Sequence, residues 1–275
     1  MKTKQGRTFQ LAVFAVFALL VPPSTSHGAE IEGPRVLGMG GAYSAIATGP
    51  DTIRINPAGI GMNKVYLIKA AHRQSNEDIK TYNLSILDFK TSSSPLGISF
   101  TREEIGEEER DYGILSFSNS GSSTLIGLSI KYFKDTLIDE TDYSYDIGLL
   151  MRPTDDLNIG LVGKNIESTD LDFVHETYTA GVAYKITSEL TVAADYSRDS
   201  SLDDDNTVSA IGIQYALNTT VSIRGGYNRD EISDADYYSA GLSIFDRTGY
   251  LEYGYRWNKD DRDDDIHSVS LSLSR

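Results

Sequence analysis

STLIGLSIKYFKDTLIDETDYSYDIGLLMRPTDD, residues 123–156, decides the fold. Its first stretch alternates strictly: Ile126, Leu128, Ile130 and Tyr132 fall on one parity, Gly127, Ser129 and Lys131 on the other. Such a period of two belongs to a strand with one apolar and one polar face. An acidic connection follows, then a second alternating run over 143–152, then the tight turn Pro153–Asp156. Strand, acidic connection, strand and tight turn form a unit that recurs along the chain.

From Lys64 onward fourteen alternating segments are predicted, at 64–72, 79–89, 95–103, 110–118, 123–134, 143–152, 157–166, 176–186, 189–198, 206–216, 218–228, 237–245, 248–257 and 266–274. About ten residues is the length of a tilted strand crossing a bilayer core. A soluble β-sandwich would alternate in the same way. The connections separate the two. Tight turns at Thr91–Ser94, Asn119–Ser122, Pro153–Asp156, Thr187–Ser188, Leu217–Asn218 and Asp246–Arg247 alternate with longer acidic loops such as HRQSNED (72–78), EIGEEERD (104–111) and NKDDRDDDI (258–266). An up-and-down meander gathers the tight turns at one end and the loops at the other, as in outer-membrane barrels.

Aromatic residues follow the same division. Tyr132, Tyr143, Tyr145, Tyr178, Tyr196, Tyr227, Tyr237, Tyr238, Tyr255 and Trp257 sit next to the acidic loops, while Phe89, Phe117, Tyr184, Tyr215, Phe245 and Tyr250 sit near the tight turns. Two interfacial girdles are expected. The predicted fold is all-β: a fourteen-stranded antiparallel up-and-down transmembrane β-barrel over 64–275.

The ends and the composition agree. Lys2, Lys4 and Arg7 precede the apolar run Leu11–Val21 and a small-residue region, which reads as a signal peptide over 1–28, cut after Ser26, Gly28 or Ala29. There is no cysteine, so neither disulfides nor a lipoprotein anchor are expected, and a net charge of −15 argues against nucleic acid as a partner.

Between signal and strands lies RVLGMGGAYSAIATGPDTIRINPAGI, residues 35–60. Leu37, Gly38, Met39, Gly40, Gly41, Ala42 and Tyr43 form a small-residue run, and Asn56, Pro57, Ala58 and Gly59 a second element. This pair resembles the opening of the FadL/TodX superfamily of outer-membrane transporters, closest in pattern to PorV/PorQ-type and UPF0164-type barrels. The resemblance implies a plug over 29–63 folded inside the barrel; these eleven residues are its motif, read either as a purely structural spacer or as a gate that also contacts cargo. It also implies passive passage of small hydrophobic molecules across the outer membrane of a Gram-negative-type cell. The alternative it implies is a non-transporting barrel that anchors or hands over a secreted or surface partner protein. Outer-membrane lipid and the barrel-assembly machinery are the remaining expected partners. The chain departs from the FadL pattern in its brief, acidic loops and in ending on Arg275.

The residues bear on the plug directly. Glycines allow close backbone approach and positive φ, Pro57 fixes a turn, and Ala42, Ala45 and Ala47 suit a short helical turn against the wall. A phosphate loop is not expected, since no Gly-Lys-Ser/Thr follows. Lys131, Asp146, Arg152, Lys164, Lys185, Asp195, Arg224, Glu252 and Arg256 lie on the polar parity and are expected to line the lumen. The clusters Asp203–Asp205 and Asp260–Asp265 lack calcium-loop spacing and read as a solvated surface. His72, His175 and His267 show no metal spacing, and no Gly-x-Ser-x-Gly elbow is present. Neither enzyme activity, nor a metal, nor a cofactor is expected.

Overall fold

The computed structural model describes residues 33–275 except 76–78, 122, 137–138, 168–170, 172, 201–205 and 262–263. The signal-peptide reading, residues 29–32 of the plug reading, and Asp203–Asp205 lie outside the described residues.

Fourteen strands form a closed barrel: β1 (Tyr66–Ser75), β2 (Ile79–Asp88), β3 (Leu96–Ile105), β4 (Glu108–Ser118), β5 (Thr124–Asp135), β6 (Glu140–Met151), β7 (Leu157–Ile166), β8 (Thr177–Lys185), β9 (Leu190–Asp199), β10 (Thr207–Ala216), β11 (Val221–Asp230), β12 (Ala235–Asp246), β13 (Gly249–Asn258) and β14 (Ile266–Ser274). Each pairs antiparallel with its sequence neighbours, and β14 closes on β1. Closure removes the free edges that an open sheet would present.

Parity sets the two faces. Ile126, Leu128 and Ile130 of β5 stand exposed on the outside, whereas Ser129 and Lys131 are buried inside. The same division holds on β14, where Leu273 is exposed and Ser268, Ser270 and Ser272 are buried. Among the described residues, no helix is long and apolar enough to cross a membrane.

Two expectations are corrected. Connection length does not alternate: EIGEEERD closes at Gly106–Glu107, with Gly106 at φ 60°, while the connection from β2 to β3 spans 89–95. Acidic residues read as loop continue the strands because they pair across them. Arg102 bonds Asp111 at 2.8 Å and meets Glu109 at 3.2 Å, and Arg110 reaches Asp135 at 3.3 Å. Opposite charges on neighbouring strands stabilise the extension. The girdle reading also changes. Tyr143, Tyr145, Tyr178, Tyr196, Phe117, Tyr184 and Tyr215 do stand exposed outside. Phe89, Tyr237, Phe245 and Tyr250, by contrast, share a parity with buried inward residues such as Leu87, Ser239, Ser243 and Glu252.

Candidate functional site

Residues 33–63 pack against the inward face of the strands. The segment holds two short helical turns, α1 (Pro34–Gly38) and α2 (Thr52–Ile55), and a 3₁₀ turn at Pro57–Gly61. Pro34 and Pro57 each open a turn, where a missing N–H costs nothing. The short helical turn expected around Ala42–Ala47 is a single one, in which the N–H groups of Ile46 and Ala47 donate to the carbonyl of Tyr43 at 3.1 and 2.9 Å. Ala42, Ala45 and Ala47 are fully shielded around it. Gly40 and Gly41 adopt φ of 66° and 90°, a region that glycine enters without steric cost.

Apolar contacts fix the segment in three places. Val36, Met39, Ala42, Tyr43, Ala45 and Ile55 cluster with Ala183, Ala193 and Ala210 of the wall. Ile53 and Ile60 pack on Leu67, Leu87 and Ile114, and Ala47 and Ala58 on Leu125 and Leu150.

The wall is recessed where the segment meets it. On β5, β7, β10, β11 and β13 an inward glycine, respectively Gly127, Gly160, Gly212, Gly226 and Gly254, faces segment backbone. A Cβ at any of them would come within 3.0 Å of that backbone. Gly38 and Gly241 recede from each other in the same way. Several are register partners: Gly212 with Gly226, and Gly241 with Gly254. The sequence signal for this belt is a glycine on the polar parity of successive strands. It escapes notice one strand at a time, because a lone strand glycine ordinarily marks a bulge or a bend.

Polar bonds complete the seat. Asp195 on β9 accepts from the backbone N–H groups of Tyr43 at 3.0 Å and Ser44 at 2.8 Å. Asn56 donates to the carbonyls of Ser44 at 2.9 Å and Leu149 at 3.3 Å, while its Oδ1 accepts from Ala58 N at 3.1 Å. Asn158 and Asn228 donate to the carbonyls of Ala45 and Gly40, and Ser118 to that of Ala58. Asn56→Ala is expected to leave buried backbone groups unpaired and to cost about 2–3 kcal/mol, read as a lower urea midpoint of the folded barrel. A midpoint equal to wild type would refute this role.

At the tight-turn side of the segment, acids and bases converge. Glu252 on β13 meets Arg35 at 2.7 Å, Lys69 of β1 at 3.6 Å and Arg224 of β11 at 3.9 Å. Asp51 meets Lys69 at 2.6 Å and Arg54 at 3.2 Å. Ser243 joins the group, donating to Glu252 at 2.9 Å and accepting from Arg224 at 2.6 Å. Arg35, Asp51, Arg54 and Lys69 were not among the expected lumen charges. The signal for Arg35, Asp51 and Arg54 is charge among the small and apolar residues of the segment, and that for Lys69 is its place on the polar parity of β1.

Of the expected lumen residues, Arg224 and Glu252 thus come together, and Asp195 holds the segment at a separate point on β9. Lys131 and Asp146 pair at 2.9 Å beside Asn165. Arg256 lies over the ring of Tyr237 at 4.3 Å, Lys164 is half-buried, and Arg152 stands just past the end of β6. Lys185 is the exception: it ends β8 near a tight turn and is exposed, beyond the reach of the segment. Leu37, Gly38, Met39, Gly40, Ala42, Tyr43, Asn56, Pro57, Ala58 and Gly59 are buried, and Gly41 is half-buried.

Comparison with curated proteins finds no match. A family model described as "F plasmid transfer operon, TraF, protein" matches residues 110–244, from β4 into β12. Among solved structures, the Ralstonia pickettii toluene transporter TbuX aligns with a TM-score of 0.58 at 12% identity, covering 88% of this chain and 97% of the transporter. The Pseudomonas putida toluene transporter TodX aligns with a TM-score of 0.61 at 12% identity, covering 90% of this chain and 99% of the transporter. With its fourteen strands in one closed ring, this chain has the fold of those two barrels.

Proposed function

We propose that the chain is an outer-membrane barrel through which small hydrophobic molecules pass passively, and that residues 33–63 are its plug. The observation that carries the reading is the combination of an apolar outer face, a polar inner face and a segment seated inside, joined to the wall only where it runs into β1. An exposed apolar band around a closed sheet suits lipid, since closure gives each strand a hydrogen-bonded neighbour on both sides. The fold shared with two toluene transporters supports hydrophobic cargo. In this reading the plug must shift for cargo to pass, because it packs on β5, β7 and β10–β13 at once.

The test is uptake of labelled toluene by cells carrying or lacking the chain, with fractionation and gel mobility before and after boiling. A heat-modifiable outer-membrane protein that speeds uptake is the expected result. Unchanged uptake would refute passage; recovery as a soluble protein would refute the barrel's membrane setting.

One observation favours a second reading, a PorV-like barrel that anchors or hands over a partner protein. The inward face of β2–β6 carries a polar band of Asn83, Ser85, Ser99, Thr101, Ser116, Ser129 and Ser144 between the apolar residues that meet the segment and Phe133, which interrupts a track for apolar cargo. Unchanged uptake together with a stoichiometric co-purifying protein would support this alternative.

A further inference from the structure

The outer wall is not uniform. Between β6 and β7 the register shifts at Tyr145/Ile147, so that Asp146 stands opposite both Lys164 and Asn165, the latter at φ 53°. On the inside the bulge is fully bonded: Asn165 accepts from Lys131 at 3.0 Å and donates to the carbonyl of His175 at 2.8 Å, and its backbone N–H donates to Asp146 at 2.9 Å. A bulge bends its strand and sharpens the local twist. On the outside a groove of about 600 Å³ runs across β5–β9 beside the bulge.

The floor is Gly163 and Ala180, with Ile147, Leu161 and Tyr196 among the walls. At the acidic-loop end the lining finishes on Arg198, which is exposed and is the register partner of Tyr178. The Tyr178 hydroxyl is engaged by Glu176, and Arg198 has no carboxylate partner among the described residues. A cation therefore caps an apolar groove at the level of exposed tyrosines, on a chain of net charge −15.

We propose that this groove binds one lipid of the surrounding leaflet, with an acyl chain along Leu161, Ala180 and Gly163 and its phosphate headgroup on Arg198. Charge complementarity selects the occupant: an apolar groove alone would accept any hydrocarbon, whereas a guanidinium at headgroup height, with no carboxylate partner among the described residues, recognises phosphate. The proposal rests on the membrane setting argued above, but not on transport.

The test uses the full chain in vesicles of equal parts phosphatidylglycerol and phosphatidylcholine, followed by detergent extraction and mass spectrometry of the intact protein with its retained lipid. Wild type is expected to retain phosphatidylglycerol preferentially. Arg198→Gln should lower that preference about fivefold, the change for one basic residue at an anionic surface. Ala180→Phe, which fills the floor, should lower retention of both lipids. Boiling-dependent mobility verifies that each variant is folded. An inserted, heat-modifiable wild type with no preference, or variants that retain lipid like wild type, would overturn the lipid site alone. Failure of wild type to insert would overturn the membrane reading with it.

Discussion

Gly226→Leu is expected to drive the N-terminal segment off its seat while leaving the strands paired. A Cβ at Gly226 would meet the backbone of Met39 and Gly40 at under 3.0 Å, and backbone cannot swing aside as a side chain can. Gly40 lies at φ 66° against the strand, so the segment has no nearby conformation that keeps the contact. Overpacking of this kind costs about 3 kcal/mol or more, borne by the segment because the register between β10, β11 and β12 does not depend on it. The expected result is a heat-modifiable barrel whose Arg35 and Arg54 become accessible to trypsin, with ionic conductance in planar bilayers above wild type. Gly226→Ala should show a weaker form of both changes. Gly113→Ala is the control: Gly113 faces outward, and a Cβ there meets Tyr132 at an ordinary 3.8 Å. A Gly226→Leu protein with wild-type trypsin resistance and conductance would show that the belt does not position the segment.

That result would also show why parts of the structure were legible in the sequence and others were not. Alternation is local, so Ile126, Leu128 and Ile130 declare a face within one strand, and fourteen such strands can be counted without knowing their partners. Strand ends depend on the neighbour. Glu104, Ile105, Glu108 and Glu109 fall between the predicted segments 95–103 and 110–118 and look like loop until Arg102 is placed across from Asp111. Side-chain direction was available where parity was followed and lost where nearness to a turn replaced it: Tyr250 stands two residues from Glu252 and so on its face. The seat was the least legible part. Asn56 and Pro57 stand out as a motif, but the residues that receive them come from strands far along the chain, such as Gly127, Gly148 and Leu149. Only the closed register brings these to one height, so the complementarity of glycine belt and segment is a property of the fold rather than of any one stretch.

Glu252→Gln is expected to destabilise the folded chain by about 3–5 kcal/mol, the cost of leaving buried charges without their partner. Glu252 is the carboxylate shared by Arg35 of the segment, Lys69 of β1 and Arg224 of β11. Glutamine keeps the shape and can still accept from Ser243, so the variant removes charge with little change of packing. Asp51 alone would then face Arg35, Arg54, Lys69 and Arg224, and their repulsion acts in a site where water cannot screen it. Arg35 is the member of this group best able to leave, because it sits at the start of the segment, whereas Lys69 and Arg224 are fixed on strands. The instability should therefore appear first as loosening near α1 and only then as loss of the barrel. Hydrogen exchange is the measurement: Leu37 N–H, bonded to Gly33 O at 2.9 Å, should lose protection before the strand amides do. The double variant Arg35→Gln with Glu252→Gln should recover part of the loss, since one unpaired cation is gone, and the non-additivity measures the coupling between segment and wall. Equal stability of Glu252→Gln and wild type, or strictly additive single and double variants, would mean that the ion pairs at Glu252 do not hold the segment.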